Sequence, residues 1–160
     1  MLGQGYYSLK PLGYLIDNPS IINVFLQGGK HKVKLDVNIL PCDVTGDPDG
    51  ISDEMLTDNP EDLKGHRMDF IVEINHAMDF PKDLCKDIFV EYQFYLDEEL
   101  HRTQICEGKQ TNPVFNYRKQ HTIEYISDGF LKYLDVQQVR GSPHSLALVQ
   151  RIRRHQHSLK

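Results

Sequence analysis

One stretch limits the choice of folds more than any other. Val33-Lys34-Leu35-Asp36-Val37-Asn38-Ile39-Leu40 places apolar residues at every odd position and polar ones at 34, 36 and 38. A period of two puts successive side chains on opposite faces, so this run is a strand with one buried face, and Pro41 is expected to end it. The same alternation returns at Met68, Phe70, Val72 and Ile74, and Ile88–Tyr95 is rich in the β-branched and aromatic residues that suit strands. His101–Cys106 reads as a returning strand. A further strand lies within 115–126, with Tyr117, Lys119, His121, Ile123 and Tyr125 on one face. Short strands separated by turns predict a mainly β protein, an antiparallel sandwich.

Two segments read as helical. Ser127-Asp128-Gly129 has the form of a helix start, and Phe130, Leu131 and Leu134 give a short helix near 128–134 its apolar face. At the C-terminal end, Ser142-Pro143 followed by Leu146, Val149 and Ile152 at intervals of three predicts a basic tail over 140–160 that is partly helical or disordered. The chain thus divides by composition into a loop-rich segment 1–32, a strand with an acidic loop over 33–66, a sandwich core over 67–139, and the basic tail.

Charge is unevenly spread. The 160 residues carry a formal net charge of −5, which disfavours nucleic acid as a partner. Between 43 and 62 there are acids at 43, 47, 49, 53, 54, 58, 61 and 62 and no Lys or Arg, the pattern of a solvated acidic loop. Asp43–Glu54 has the length of an EF-hand loop. However, Pro48 occupies the sixth position, where a calcium loop needs glycine, and a strand precedes it. Three scattered cysteines, Cys42, Cys85 and Cys106, form no C-x-x-C and read as free thiols in a reducing compartment. Neither a secretory leader nor a membrane-length apolar run is visible, so a cytoplasmic location is expected.

Catalytic signatures are missing from the sequence. Gly28-Gly29-Lys30-His31 lacks the spacing and hydroxyl of a phosphate-binding loop, and neither G-x-S-x-G nor H-E-x-x-H occurs. His155 and His157 make two imidazoles without a third ligand. The reading is of a non-enzyme with no cofactor.

Several runs go beyond composition. Met68–Lys82 resembles the opening strand and first loop of a C2 domain, with Phe80-Pro81 where such domains often have Leu-Pro. Asp87–Phe94 is similar to the second C2 strand, and Thr111–Asn116 to the Asn-Pro-aromatic-Asn signature. Leu84–Phe94 together with Thr111–Tyr117 resembles the tail-side C2-like region of kinesin-3 class motors, a likeness covering about 30–134. It implies a C2-like β-sandwich from the non-motor part of a microtubule motor, cytoskeleton-associated, with a role in cargo attachment or motor regulation. The implied partner is a protein, either a cargo adaptor or another part of a motor chain. No ATPase motif of such motors is present to carry over.

The C2 likeness also raises metal and contact residues. Asp79, Asp83 and Asp87 fall near the first loop and supply half a calcium site, but no Asp-x-Asp follows Leu134 to supply the other half. The strands after Met68 are fewer than the eight of a C2 domain. Either Val33–Leu40 and the tail complete the sandwich, or it is left short. For a protein partner the expected contacts are exposed strand edges and the turn around Phe80-Pro81, where Phe80 is either an exposed anchor or a plug for the end of the core. An alternative occupant is an anionic, phosphoinositide-bearing membrane surface, met without calcium by Lys30, Lys32 and Lys34 or by Arg151, Arg153 and Arg154.

Overall fold

The computed structural model describes residues 2–94 and 99–135, and the backbone of 148–154. Nine strands account for nearly half of it: β1 (Gly3–Tyr7), β2 (Ser20–Leu26), β3 (Lys32–Cys42), β4 (Met68–Met78), β5 (Lys86–Gln93), β6 (His101–Arg102), β7 (Cys106–Lys109), β8 (Val114–Ile123) and β9 (Leu148–Arg154). Every pairing is antiparallel, in the order β6-β5-β9-β1-β2-β3-β4-β8, with β7 also on β5. The path folds back on itself, so that β5 lies face to face with β4 and β8. Phe70 and Phe94 meet across the layers with ring centroids 4.8 Å apart, and the Tyr92 hydroxyl lies 2.8 Å from His121 Nε2. The fold is mainly antiparallel β, two layers of a sandwich.

Alternation builds the core as expected. Val33, Leu35, Val37 and Ile39 are buried on the inner face of β3, opposite Ala77, Ile74 and Val72 of β4. Tyr92, Ile88, Val90 and Phe115 fill the space between the layers. The sandwich does not close into a barrel. Among the described residues no backbone ladder joins β8 to β6 or β7; side chains span the gap instead. The Cys106 thiol donates to the Val114 carbonyl at 2.9 Å, and the Gln104 amide donates to the Phe115 carbonyl.

The short helix α1 (Asp128–Asp135) forms where expected and buries Phe130, Leu131 and Leu134. The Ser127 hydroxyl accepts from the Phe130 N–H at 3.2 Å, capping its start.

Four expectations need correction. Residues 1–32 are not a linker: β1 and β2 belong to the sheet, so the compositional zones are not separate units. The basic tail is not helical over 148–154, which form β9 between β1 and β5. The interval-of-three pattern there is a local signal, overridden by two waiting strand edges; 136–147 and 155–160 lie outside the described residues. β3 runs through Pro41 to Cys42. The Ile39 carbonyl accepts from Asn18 N–H on the β2 side, so Pro41, two residues on, turns its missing N–H to that side beyond the start of β2. Finally, the returning strand over 101–106 is split into β6 and β7.

Candidate functional site

Sheet order brings together residues that are scattered along the chain. β3, β2 and β1 are consecutive neighbours, and their even-and-odd alternation leaves one face outward: Lys32 and Lys34 on β3, Ile21, Asn23 and Phe25 on β2, and Gln4 and Tyr6 on β1. Cross-strand register pairs Phe25 with Lys32 and Gln4, and Asn23 with Lys34. Directly opposed residues share a face, so lysines and large apolar side chains are interleaved there. Ile21 is 61% exposed, Phe25 53% and Tyr6 40%. Lys30 stands on the β2–β3 hairpin, whose tight turn uses positive φ at Gly28 and Gly29 (90° and 67°), as glycine readily allows.

The next strand along is β9. Its register positions set Arg151 beside Gln4 of β1 and Glu91 of β5, and Arg153 beside Phe89 of β5, while Arg154 lies beside Ile88. The two basic sets that the sequence offered as separate candidates therefore belong to one sheet, on β3 and β9, with β1 and β2 between them. On the other side the face turns neutral. Lys34 pairs with Asp79 at 3.3 Å, and Asp36 lies 3.3 Å from His76 Nδ1. Lys30 and Lys32 form no ion pair with any described residue.

Other expected site residues come out differently. Of the two readings of Phe80 the structure has the plug: it is 4% exposed and closes the end of the core, its N–H donating to the Thr111 carbonyl at 3.0 Å. Asp79, Asp83 and Asp87 do not converge. Asp79 is drawn to Lys34, Asp83 is exposed, and Asp87 is buried and accepts from the Gly108 N–H at 2.7 Å. Among the described residues no three metal-ligating side chains cluster, so the half calcium site is not assembled. The outer edge of β8, a strand edge expected to be open, is partly occupied by Cys106 and Gln104.

The sequence missed two features. The exposure of Ile21 and Phe25 has no local signal, because it depends on which strands flank β2. Between the layers, Tyr92, Tyr117, His121, His101 and Lys119 form a bonded cluster: the Lys119 ammonium donates to His101 Nδ1 at 2.8 Å, and the two imidazoles lie edge to face with centroids 4.7 Å apart. Burial raises the Tyr117 phenol above its ordinary range. This cluster fills the interior and lines neither of the cavities at the acidic segment and at α1.

No protein-family model matches the chain, and no curated protein matches its sequence. Among the described residues no helix is long and apolar enough to cross a membrane.

Proposed function

We propose that this chain is a non-catalytic binding module that attaches to an anionic membrane surface through the outer face of β1, β2 and β3. One observation carries the reading: Phe25 stands exposed opposite Lys32, on a face that also bears the exposed Ile21 and ends in Lys30, on a protein whose net charge is negative. A flat strand face offers no pocket for a particular peptide side chain, but it matches a headgroup layer. There lysines meet acidic lipids and apolar side chains reach the acyl boundary. Each lysine near an anionic leaflet adds about 1 kcal/mol, so Lys30 and Lys32 together contribute about 2 kcal/mol, roughly thirtyfold in partitioning. No calcium is needed, in keeping with the separated Asp79, Asp83 and Asp87.

The likeness of 84–94 and 111–117 to the tail region of kinesin-3 motors gives this activity a cellular setting in the proposal. A membrane-attaching module suits cargo attachment in microtubule-based transport. That setting rests on the sequence runs alone.

Vesicle flotation with the whole chain is the test. Flotation is expected with vesicles containing phosphatidylserine or a phosphoinositide at low salt, weakening as salt rises, and not with neutral phosphatidylcholine vesicles. The pair Lys30→Glu/Lys32→Glu, and separately Ile21→Ser/Phe25→Ser, should abolish it. Absence of flotation at low salt, or flotation indifferent to both pairs, removes the proposal.

A further inference from the structure

At the far end of β3 the surface has the opposite character. The chain leaves the sheet at Cys42 and returns at Met68 through three short 3-10 turns, Pro48–Gly50, Asp53–Met55 and Pro60–Leu63. Between this segment and the sheet lies a cavity of about 580 Å³. Its floor includes Leu15, Met68 and Ile126, and its outer wall is Val44, Met55 and Leu56, all three among the most exposed large apolar side chains of the described residues. The Asp43 carboxylate fixes the wall's first turn, accepting from Thr45 N–H at 2.8 Å, Thr45 hydroxyl at 2.6 Å and Asp47 N–H at 3.0 Å, which leaves Val44 facing out.

The lining carries carboxylates. Asp43 and Asp62 line the cavity with no ion-pair partner among the described residues, and the segment that walls it also bears the exposed Asp49, Asp53, Glu54, Asp58 and Glu61. The one arginine at the cavity, Arg67, is already held by Asp69 at 2.7 Å and Glu124 at 3.4 Å, so it does not offset them. An anionic membrane and a nucleic acid are both repelled here. The space suits one or two aliphatic or aromatic side chains, and the surrounding carboxylates suit cations beside them.

We infer that this groove is a docking site for a segment of a partner protein in which an apolar side chain is flanked by lysine or arginine. Complementarity of charge and apolar lining together select that occupant: an apolar plug alone would leave the carboxylates unanswered, and a basic segment alone would leave Val44, Met55 and Leu56 wet. The inference is independent of the membrane-facing surface, which lies at the other end of β3.

The test uses the whole chain and a fluorescein-labelled nine-residue peptide of alternating lysine and leucine, read by fluorescence polarisation. Two control peptides replace the lysines by glutamate or the leucines by serine. Saturable binding of the first is expected, with the controls at least about tenfold weaker. Met55→Ser/Leu56→Ser should weaken it by about tenfold while leaving vesicle flotation unchanged, since both side chains are already half in water. Hydrogen exchange should show peptide-dependent protection confined to 43–69. Equal binding of the serine peptide, indifference to Met55→Ser/Leu56→Ser, or protection elsewhere overturns the inference. So does head-to-tail self-association of the chain that is lost in both Met55→Ser/Leu56→Ser and Lys30→Glu/Lys32→Glu, which would make a second copy the occupant.

Discussion

The two ends of β3 show how one strand can serve two surfaces. At Lys32 the strand emerges from a glycine turn with β2 paired along one edge from Lys32 to Val37, and the result is flat, basic and studded with Ile21 and Phe25. At Cys42, ten residues and about 33 Å away at ~3.3 Å per residue, β2 has not yet begun. The chain there bulges into acidic turns, leaving a groove. The inner face is the same at both ends, a row of Val33, Leu35, Val37 and Ile39. What differs is whether a neighbour strand covers the edge. Flatness comes from pairing, and concavity from its loss.

The most severe way to break this contrast is to remove 148–160. Without β9, β1 and β5 lose the strand that both pair with, and two open edges are exposed. Loss of the cooperative thermal transition and aggregation on gel filtration are expected, taking both surfaces with them. Next comes Leu35→Ala, a fully buried side chain within the row of inner-face residues that both ends share. It should cost about 2–5 kcal/mol in urea unfolding while leaving the charge of both ends intact.

Acid should act on one end only. Arg67 first, then Thr122 and Gln120, donate to the buried Asp69 carboxylate and hold its pKa below the ordinary carboxylate range. A depressed folded value means this stabilisation is complete above the unfolded value of about 3.9. It is lost as pH falls through the folded value. Asp69→Asn should therefore flatten the acid limb of the stability profile, costing about 1–2 kcal/mol at pH 7 and little below pH ~3.

Alkali sharpens the contrast in the other direction. Burial, then the charges of Asp69 and Asp43, push the Cys42 thiol up to about 11. An unfolded thiol ionises near 8.5, so stability is complete below that value and falls as pH rises toward 11. Labelling of Cys42 by iodoacetamide should stay slow at pH 8. Smallest of all is Lys34→Ala. Its pair with Asp79 is half exposed on both sides, and a change of about 0–0.5 kcal/mol is expected.

Much of this was readable from the residues. β3, β4, β5 and β8 follow from alternation that each strand carries within itself, and α1 from Ser127 with the triplet Phe130, Leu131 and Leu134. β1 escaped notice because two of its three inward positions, Gly3 and Gly5, are glycines. A Cβ at Gly5 would sit 2.8 Å from Val24 Cγ2, so the close approach of β1 to β2 requires the very residue that weakens a strand signal. Phe80 looks like a loop aromatic because its burial comes from residues far along the chain. The lysines and arginines were visible singly. Their shared sheet was not, since strand order is a property of long-range pairing and no local pattern encodes it.

The place of β9 has a consequence for biosynthesis. Its seven residues are the last described ones to leave the ribosome, yet they sit mid-sheet between β1 and β5. A nascent chain that has already emerged through β8 holds the other described strands and still carries an empty slot. Until translation delivers 148–154, that slot is open to any extended chain nearby, so chaperone capture or pausing late in synthesis would favour correct assembly.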